Sequence, residues 1–134
     1  RRGQCGQPPQ VTSGERRGRL VLVVDDDEMI RRLVRTVLEA DDFEVIEAKD
    51  GQEALDIMGD KGPSVVVLDV MMPGLNGVDV CRRLDHQNVK VIILTARDDA
   101  DLAEECMQAG ADAFLTKPFS SIQLLDLVED LLAV

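Results

Sequence analysis

Short apolar runs and amphipathic segments alternate along the chain from residue 20 onward. Leu20–Val24 is a run of five apolar residues, and three of the four apolar residues at 65–68 are β-branched. Such runs are typical of strands that are buried on both faces of a sheet. Elsewhere apolar residues recur every three or four positions, as they do in amphipathic helices. The pattern therefore predicts strands that alternate with helices.

Five predicted strands alternate with five predicted helices. The strands lie at residues 20–24, 43–47, 65–68, 89–95 and 113–116, and the helices lie near residues 27–40, 51–59, 78–84, 99–109 and 122–132. Apolar and acidic residues alternate at 43–47, which favours an outer strand. Gly110 is a natural helix terminator. Alternation of this kind predicts a parallel sheet with helices on both faces, but it leaves the strand order open.

The first 18 residues differ in composition from the rest of the chain. They are rich in Arg, Gly, Gln and Pro, and their apolar residues are Cys5 and Val11. Because this segment buries too little surface to fold alone, we predict a disordered tail or linker at 1–18 and one domain at 19–134. The start without Met favours a domain excised from a longer protein over a stand-alone one.

Composition and charge narrow the classes of function. The chain has 134 residues, 45% of them apolar and 31% charged, which fits one domain with a hydrophobic core. Residues 20–134 carry 25 acidic and ten basic side chains, which argues against direct nucleic-acid binding. The sequence has no apolar run near the roughly 20 residues of a membrane span, so we expect a cytoplasmic protein with no membrane partner. Cys81 and Cys106 fall in apolar-periodic segments, where buried thiols are expected.

Polar residues follow four of the predicted strands. Asp25 and Asp26 follow the first strand, Asp69 the third, Thr95 ends the fourth and Lys117 follows the fifth. The carboxyl ends of parallel strands lie on one edge of a sheet, so these groups converge if their strands adjoin. Three adjacent carboxylates repel one another unless a cation joins them. The arrangement predicts a site for a hard divalent ion, for which Mg²⁺ is the natural candidate.

These groups also suit phosphoryl transfer. A carboxylate such as Asp69 can attack phosphorus to give an acyl phosphate. An ammonium from Lys117 and a hydroxyl from Thr95 would stabilise the charge on the phosphoryl oxygens. Taken singly, an acidic run is usually a solvated helix start, and Asp69 could cap a turn. Their presence together at one edge favours a functional site.

Four motifs of this sequence resemble those of the receiver domain of two-component response regulators. They are Val23-Val24-Asp25-Asp26-Asp27, Leu68-Asp69-Val70-Met71-Met72-Pro73-Gly74, Leu94-Thr95-Ala96 and Thr116-Lys117-Pro118-Phe119. The resemblance covers residues 20–133. It implies a doubly wound, flavodoxin-like α/β fold with a five-stranded parallel sheet in the order 2-1-3-4-5, five helices and a proline that is usually cis after the lysine.

The resemblance also implies a role for each site residue. Asp69 would accept a phosphoryl group from the phosphohistidine of a sensor histidine kinase or histidine phosphotransfer protein. Asp26, Asp69 and the backbone carbonyl of Met71 would bind Mg²⁺ directly, with Asp25 acting through water. Lys117 would pair with the phosphoryl oxygens.

Two further residues take the switch positions of that family. Thr95 would close on the phosphoryl oxygens, and Phe114 would rotate inward in response. These movements would alter the surface formed by the fourth helix, fifth strand and fifth helix, which an unidentified effector would read. Phe114 lacks the hydroxyl of the tyrosine often found there.

From the roles that the resemblance implies, we predict a signalling switch that takes part in its own phosphorylation and slow dephosphorylation, rather than an enzyme.

Three alternatives share parts of this pattern. A phosphatase of the haloacid-dehalogenase type has a second Asp two residues after its nucleophile, where this chain has Met71. A flavodoxin-like cofactor carrier needs a phosphate loop after the first strand, where this chain has acids that would repel FMN phosphate. A degenerate receiver that serves only as a docking module is disfavoured because all the site residues are present.

Overall fold

The computed structural model describes residues 20–70, 77–84, 89–96 and 100–132, in which strands and helices alternate. The strands are β1 (Leu20–Val24), β2 (Glu44–Ala48), β3 (Val65–Asp69), β4 (Lys90–Ala96) and β5 (Ala113–Lys117). The helices are α1 (Glu28–Ala40), α2 (Gly51–Lys61), α3 (Gly77–Arg83), α4 (Ala100–Gln108) and α5 (Ser121–Leu132). None of these described helices is long and apolar enough to cross a membrane.

The five strands form one parallel sheet in the order β2-β1-β3-β4-β5. This order confirms the predicted fold class and places β2 at an edge, as its alternating pattern indicated. Val24 of β1 lies opposite Leu68 of β3, and Asp69 lies opposite Leu94 of β4. β1 and β3 therefore end within one residue of each other, and β4 continues to Ala96, two residues past the partner of Asp69.

The hydrophobic core lies on both faces of the sheet. Val21 and Val23 of β1 point to the face covered by α1 and α5, whereas Leu22 and Val24 point to the opposite face, covered by α2, α3 and α4. β3 and β4 divide their side chains in the same way, because successive residues of a strand point to opposite faces. Burial on both faces explains why these strands are uninterrupted apolar runs.

Local hydrogen bonds fix where helices begin near the carboxyl edge of the sheet. The Asp27 carboxylate accepts from the Met29 N–H at 2.9 Å and so caps α1. At α5, the Ser120 hydroxyl accepts from the Gln123 N–H at 3.1 Å, and the Gln123 side chain accepts from the Ser120 N–H at 2.9 Å. This reciprocal pair is a capping box. Both helices therefore start within a few residues of the polar strand ends.

Cys81 of α3 and Cys106 of α4 are fully buried, as predicted, and no disulfide joins them. The Cys81 thiol lies 3.7 Å from the carbonyl oxygen of Cys106 and donates to it. Burial raises the pKa of each thiol to about 11. Both thiols are therefore protonated at neutral pH and serve as parts of the core.

Candidate functional site

Three carboxylates form a cluster at the carboxyl edge of the sheet. One oxygen each from Asp25, Asp26 and Asp69 lies within 4.8 Å of the other two. Asp25 and Asp69 are buried, with 0% and 3% of their surfaces exposed, whereas Asp26 is exposed. The cluster therefore combines two acids held inside the protein with one at its surface.

Strand pairing brings these acids together. Val24 and Leu68 are partners across the β1–β3 pair, and each is followed directly by an aspartate, Asp25 or Asp69. The Asp25 N–H donates to the carbonyl oxygen of Ala48 at 3.1 Å, so the hydrogen bonding between β1 and β2 continues past the end of β1. The backbone of Asp25 is therefore held as firmly as that of a strand residue.

The carboxylate of Asp25 has a partner on each oxygen. Oδ1 accepts from the Asp27 N–H at 2.9 Å, and Oδ2 lies 3.4 Å from the Lys117 ammonium. Burial nevertheless raises the pKa of Asp25 to about 6, and the charge of Asp69 adds to the increase, while the Asp27 hydrogen bond and Lys117 oppose it. Ionising this carboxyl is thus less favourable in the folded protein than in the unfolded chain, and a bound cation would offset the difference.

Lys117 lies between the two buried acids. Its ammonium nitrogen is 3.4 Å from Oδ2 of Asp25 and 3.5 Å from Oδ2 of Asp69, and 30% of its side chain is exposed. The peptide bond from Lys117 to Pro118 is cis, as the resemblance to receiver domains implied. A cation that is shared between two acids and reaches solvent is placed to contact an anion arriving at Asp69.

Thr95 lies on β4 and Phe114 on β5, the two strands that follow β3 in the sheet. Asp69 is paired with Leu94, which Thr95 follows directly in β4. The Thr95 side chain is buried, and its hydroxyl donates to the carbonyl oxygen of Ala96 at 3.1 Å. Phe114 of β5 is half exposed, although it is aromatic. The structure thus brings together the acids and Lys117 with Thr95 alongside, whereas Met71 lies outside the described residues.

One contact at this edge was not predicted from the sequence. Nη1 of Arg31 in α1 donates to the carbonyl oxygen of Asp25 at 2.6 Å, and Nε donates to Glu47 of β2 at 3.0 Å. The sequence shows both charged residues, but their pairing depends on how α1 is rotated against the sheet. Asp27, in contrast, belongs to the acidic run of the sequence but caps α1 instead of joining the cluster.

Comparison with known proteins gives the same assignment as the fold. Residues 21–129 match the family model described as the response regulator receiver domain. Response regulator MprA of Mycolicibacterium vanbaalenii is 44% identical, in an alignment that covers 78% of this chain and 46% of MprA. The chain spans about half the length of the curated relatives that it matches.

Two solved structures match this chain over nearly their whole length. The receiver domain of Francisella response regulator 1452 is 38% identical and superposes with a TM-score of 0.76, covering 84% of this chain and 95% of that one. Chemotaxis protein CheY4 of Vibrio cholerae is 30% identical with a TM-score of 0.77, covering 84% and 97%. From its sequence match and its strand order alike, the chain belongs to the receiver domain family of two-component response regulators.

Proposed function

We propose that this domain accepts a phosphoryl group on Asp69 and acts as a switch in a phosphorelay. The observation that carries the proposal is a buried carboxylate at a strand end with an ammonium 3.5 Å away, within a cluster of three acids. The donor would be a phosphohistidine of a sensor histidine kinase or a histidine phosphotransfer protein, in keeping with the family. Asp69 is the acceptor because it ends β3, next to the crevice between β1 and β3.

Asp25, Asp26 and Asp69 would also hold Mg²⁺. Their oxygens are the hard ligands that this ion prefers, and the raised pKa of Asp25 is the mark of a site that a cation would stabilise. Asp25 would act through water, and the Met71 carbonyl would supply a further ligand. When bound, Mg²⁺ neutralises carboxylate and phosphoryl charge.

The reaction at Asp69 is a substitution at phosphorus. A carboxylate oxygen forms a bond to phosphorus while the bond from phosphorus to the donor's imidazole nitrogen breaks, and its electron pair stays on that nitrogen. Lys117 moves from its position between two acids to pair with a phosphoryl oxygen. Water later attacks phosphorus, the bond from phosphorus to the Asp69 oxygen breaks, and inorganic phosphate leaves, so the domain slowly regains its carboxylate.

Phosphorylation would change the balance between two conformations. A ligand shifts such a balance only through contacts that differ between the two states. The Thr95 hydroxyl now bonds to the Ala96 carbonyl and would bond to the phosphoryl group instead. Phe114, now half exposed, would then turn inward and alter the surface formed by α4, β5 and α5.

Intact mass spectrometry tests the acceptor. The protein is incubated with acetyl phosphate, with and without Mg²⁺, and we expect a phosphoryl adduct that depends on the metal. Asp69→Asn should form no adduct, whereas Asp56→Asn, which removes an exposed acid of α2, should behave as the wild type. A wild type without an adduct, or an Asp69→Asn variant with one, would overturn the proposal.

Thr95→Ala separates the chemistry from the switch. We expect the variant to form the Asp69 adduct, because Asp69 and Lys117 remain, but to show a smaller conformational response. The measurement is the phosphorylation-dependent change in backbone amide chemical shifts of β5 and α5. Thr95→Ser keeps the hydroxyl and serves as the control, and an undiminished response in Thr95→Ala would contradict the role of Thr95.

A further inference from the structure

Arg31 and Glu47 connect the edge strand to the acidic cluster. Arg31 donates through Nη1 to the carbonyl oxygen of Asp25 at 2.6 Å and through Nε to Glu47 at 3.0 Å. Both side chains are mostly buried, with 15% and 27% of their surfaces exposed. We propose that Arg31, held by Glu47, is a positioning residue that orients the carboxylate of Asp26 for Mg²⁺. This inference rests on the proposed function.

The argument depends on the planarity of one peptide unit. The carbonyl oxygen of Asp25 and the N–H of Asp26 belong to the same rigid plane, so a bond to the oxygen also fixes the direction in which the chain enters Asp26. The Asp25 N–H donates a hydrogen bond to the carbonyl oxygen of Ala48, and the Asp25 carboxylate accepts one from the Asp27 N–H. Arg31 restrains the oxygen side of this turn. Asp26 is exposed, so its orientation depends on the backbone that carries it more than on packing.

Glu47 holds the guanidinium of Arg31 in place. Its two carboxylate oxygens accept separately from Arg31 at 3.0 Å and from Arg35 at 2.8 Å. Arg31 uses two different nitrogens for Glu47 and for Asp25, which suits the fixed fork of a guanidinium. A lysine has one nitrogen and would not occupy both donor positions. The contact between Arg31 and Glu47 therefore makes the position of the Asp25 backbone depend on the position of β2.

Charge and positioning predict opposite effects when Arg31 is removed. The guanidinium is positive and lies beside the cluster, so its field opposes the binding of a cation. If charge alone mattered, replacing Arg31 with an uncharged residue would strengthen Mg²⁺ binding. If Arg31 positions Asp26, the same replacement weakens binding. The sign of the change therefore separates the two explanations.

Isothermal titration calorimetry of the full chain with Mg²⁺ measures whether the replacement strengthens or weakens Mg²⁺ binding. We expect Arg31→Met, which keeps much of the aliphatic stem, to bind Mg²⁺ about tenfold more weakly than the wild type. Arg32→Met is the matched control, because Arg32 carries the same charge, is exposed and pairs with Glu28 at 2.7 Å. It should bind as well as the wild type or slightly better. The amide resonance of Asp26 should also shift in metal-free Arg31→Met and remain in place in Arg32→Met.

The outcomes distinguish this inference from the proposed function. A wild type that forms no Asp69 adduct would refute the proposed function, whether or not it binds Mg²⁺. A wild type that forms the adduct and binds Mg²⁺, beside an Arg31→Met variant with equal or tighter binding, would refute only the positioning role. Circular dichroism verifies that the variants fold. If Arg31→Met does not fold, Arg31→Lys is measured instead, because it keeps the positive charge. We expect this variant to bind Mg²⁺ more weakly than the wild type. Unchanged Mg²⁺ binding would overturn the inference.

Discussion

Asp25 is a fully buried carboxyl whose ordinary pKa of 3.8 is raised to about 6, chiefly by burial. The folded protein therefore binds the proton more tightly than the unfolded chain does. Between these two values the native state carries more protons on this group, so the free energy of unfolding falls as pH rises. The contribution of Asp25 is fully present below the unfolded pKa and is lost as pH rises through the folded one.

Metal-free protein should show this loss directly. In EDTA, we expect Asp25 to lower the free energy of unfolding by on the order of 2 to 3 kcal/mol as pH rises through that range. Urea titrations across the range, compared between the wild type and Asp25→Asn, isolate the contribution, because Asn does not titrate. Equal pH dependence in the two proteins would contradict the prediction. Saturating Mg²⁺ should reduce the loss in the wild type.

The two buried thiols should resist alkylation. Cys81 and Cys106 are fully buried, and burial raises the pKa of each to about 11, so the reactive thiolate is scarce at neutral pH. In a Cys5→Ser background, we expect iodoacetamide to label both at least tenfold more slowly in native buffer than in urea. Peptide mass mapping gives the rate at each site. Rapid labelling of either thiol in the native protein would be inconsistent with its burial.

The site residues differ in how far the sequence could predict them. The sequence predicts Asp69, Thr95 and Lys117 because each lies at the end of a run of apolar residues. The carboxyl ends of parallel strands lie at the same edge of a sheet, and this does not depend on the loops between them. The bond from Arg31 to the Asp25 carbonyl was not predicted. It depends on the rotation of a helix and on one side-chain conformation, and neither leaves a periodic pattern in the sequence.

At the scale of elements, strand bounds follow the apolar runs to within about one residue. β2 begins at Glu44 rather than Phe43, because the Phe43 N–H bonds to the Leu38 carbonyl at the end of α1. α2 passes the predicted end at Gly59 and continues to Lys61, because Gly62 adopts the left-handed conformation that caps the helix. A glycine in the sequence predicts an end of a helix, but two nearby glycines leave its position open.

The capping box of α5 makes a prediction for a whole element. Ser120→Ala should lower the free energy of unfolding by about 1 kcal/mol, because the Gln123 N–H loses its acceptor at the helix start. Ser121→Ala changes the adjacent exposed serine and is the matched control. Urea unfolding measures both. Equal losses in the two variants would show that the cap does not stabilise α5.

At the scale of the molecule, the strand order required more than the apolar pattern. Alternating strands and helices are compatible with several orders, whereas the motifs shared with receiver domains implied β2-β1-β3-β4-β5, which the sheet confirms. The chain places β2 on one side of β1 and then places β3, the strand after β2, on the other side of β1. The direction in which strands are added to the sheet therefore reverses at β1. In open α/β sheets such a reversal is where ligands bind, and here Asp25 and Asp69 follow or end the two strands on either side of it.

Metal binding should stabilise the whole fold. At about 100 times the dissociation constant, Mg²⁺ is expected to raise the free energy of unfolding by about 2.7 kcal/mol, since the unfolded chain has no assembled site. Asp26→Asn removes one acid of the cluster and should lose most of this gain, whereas Asp56→Asn on α2 should retain it. Chemical denaturation with and without Mg²⁺ provides the measurement. A gain of the same size in both variants would place the metal elsewhere.

The parallel sheet also decides where the two ends of the folded unit lie. β1 starts at the edge of the sheet opposite Asp69, and α5 follows β5 back toward that edge. Twelve helical residues span about 18 Å, which matches the roughly 17 Å of a five-residue strand. A polypeptide joined before Leu20 or after Leu132 would therefore begin on the far side from the acids. A domain fused at Leu20 or Leu132 would therefore be attached at the edge of the sheet opposite Asp69.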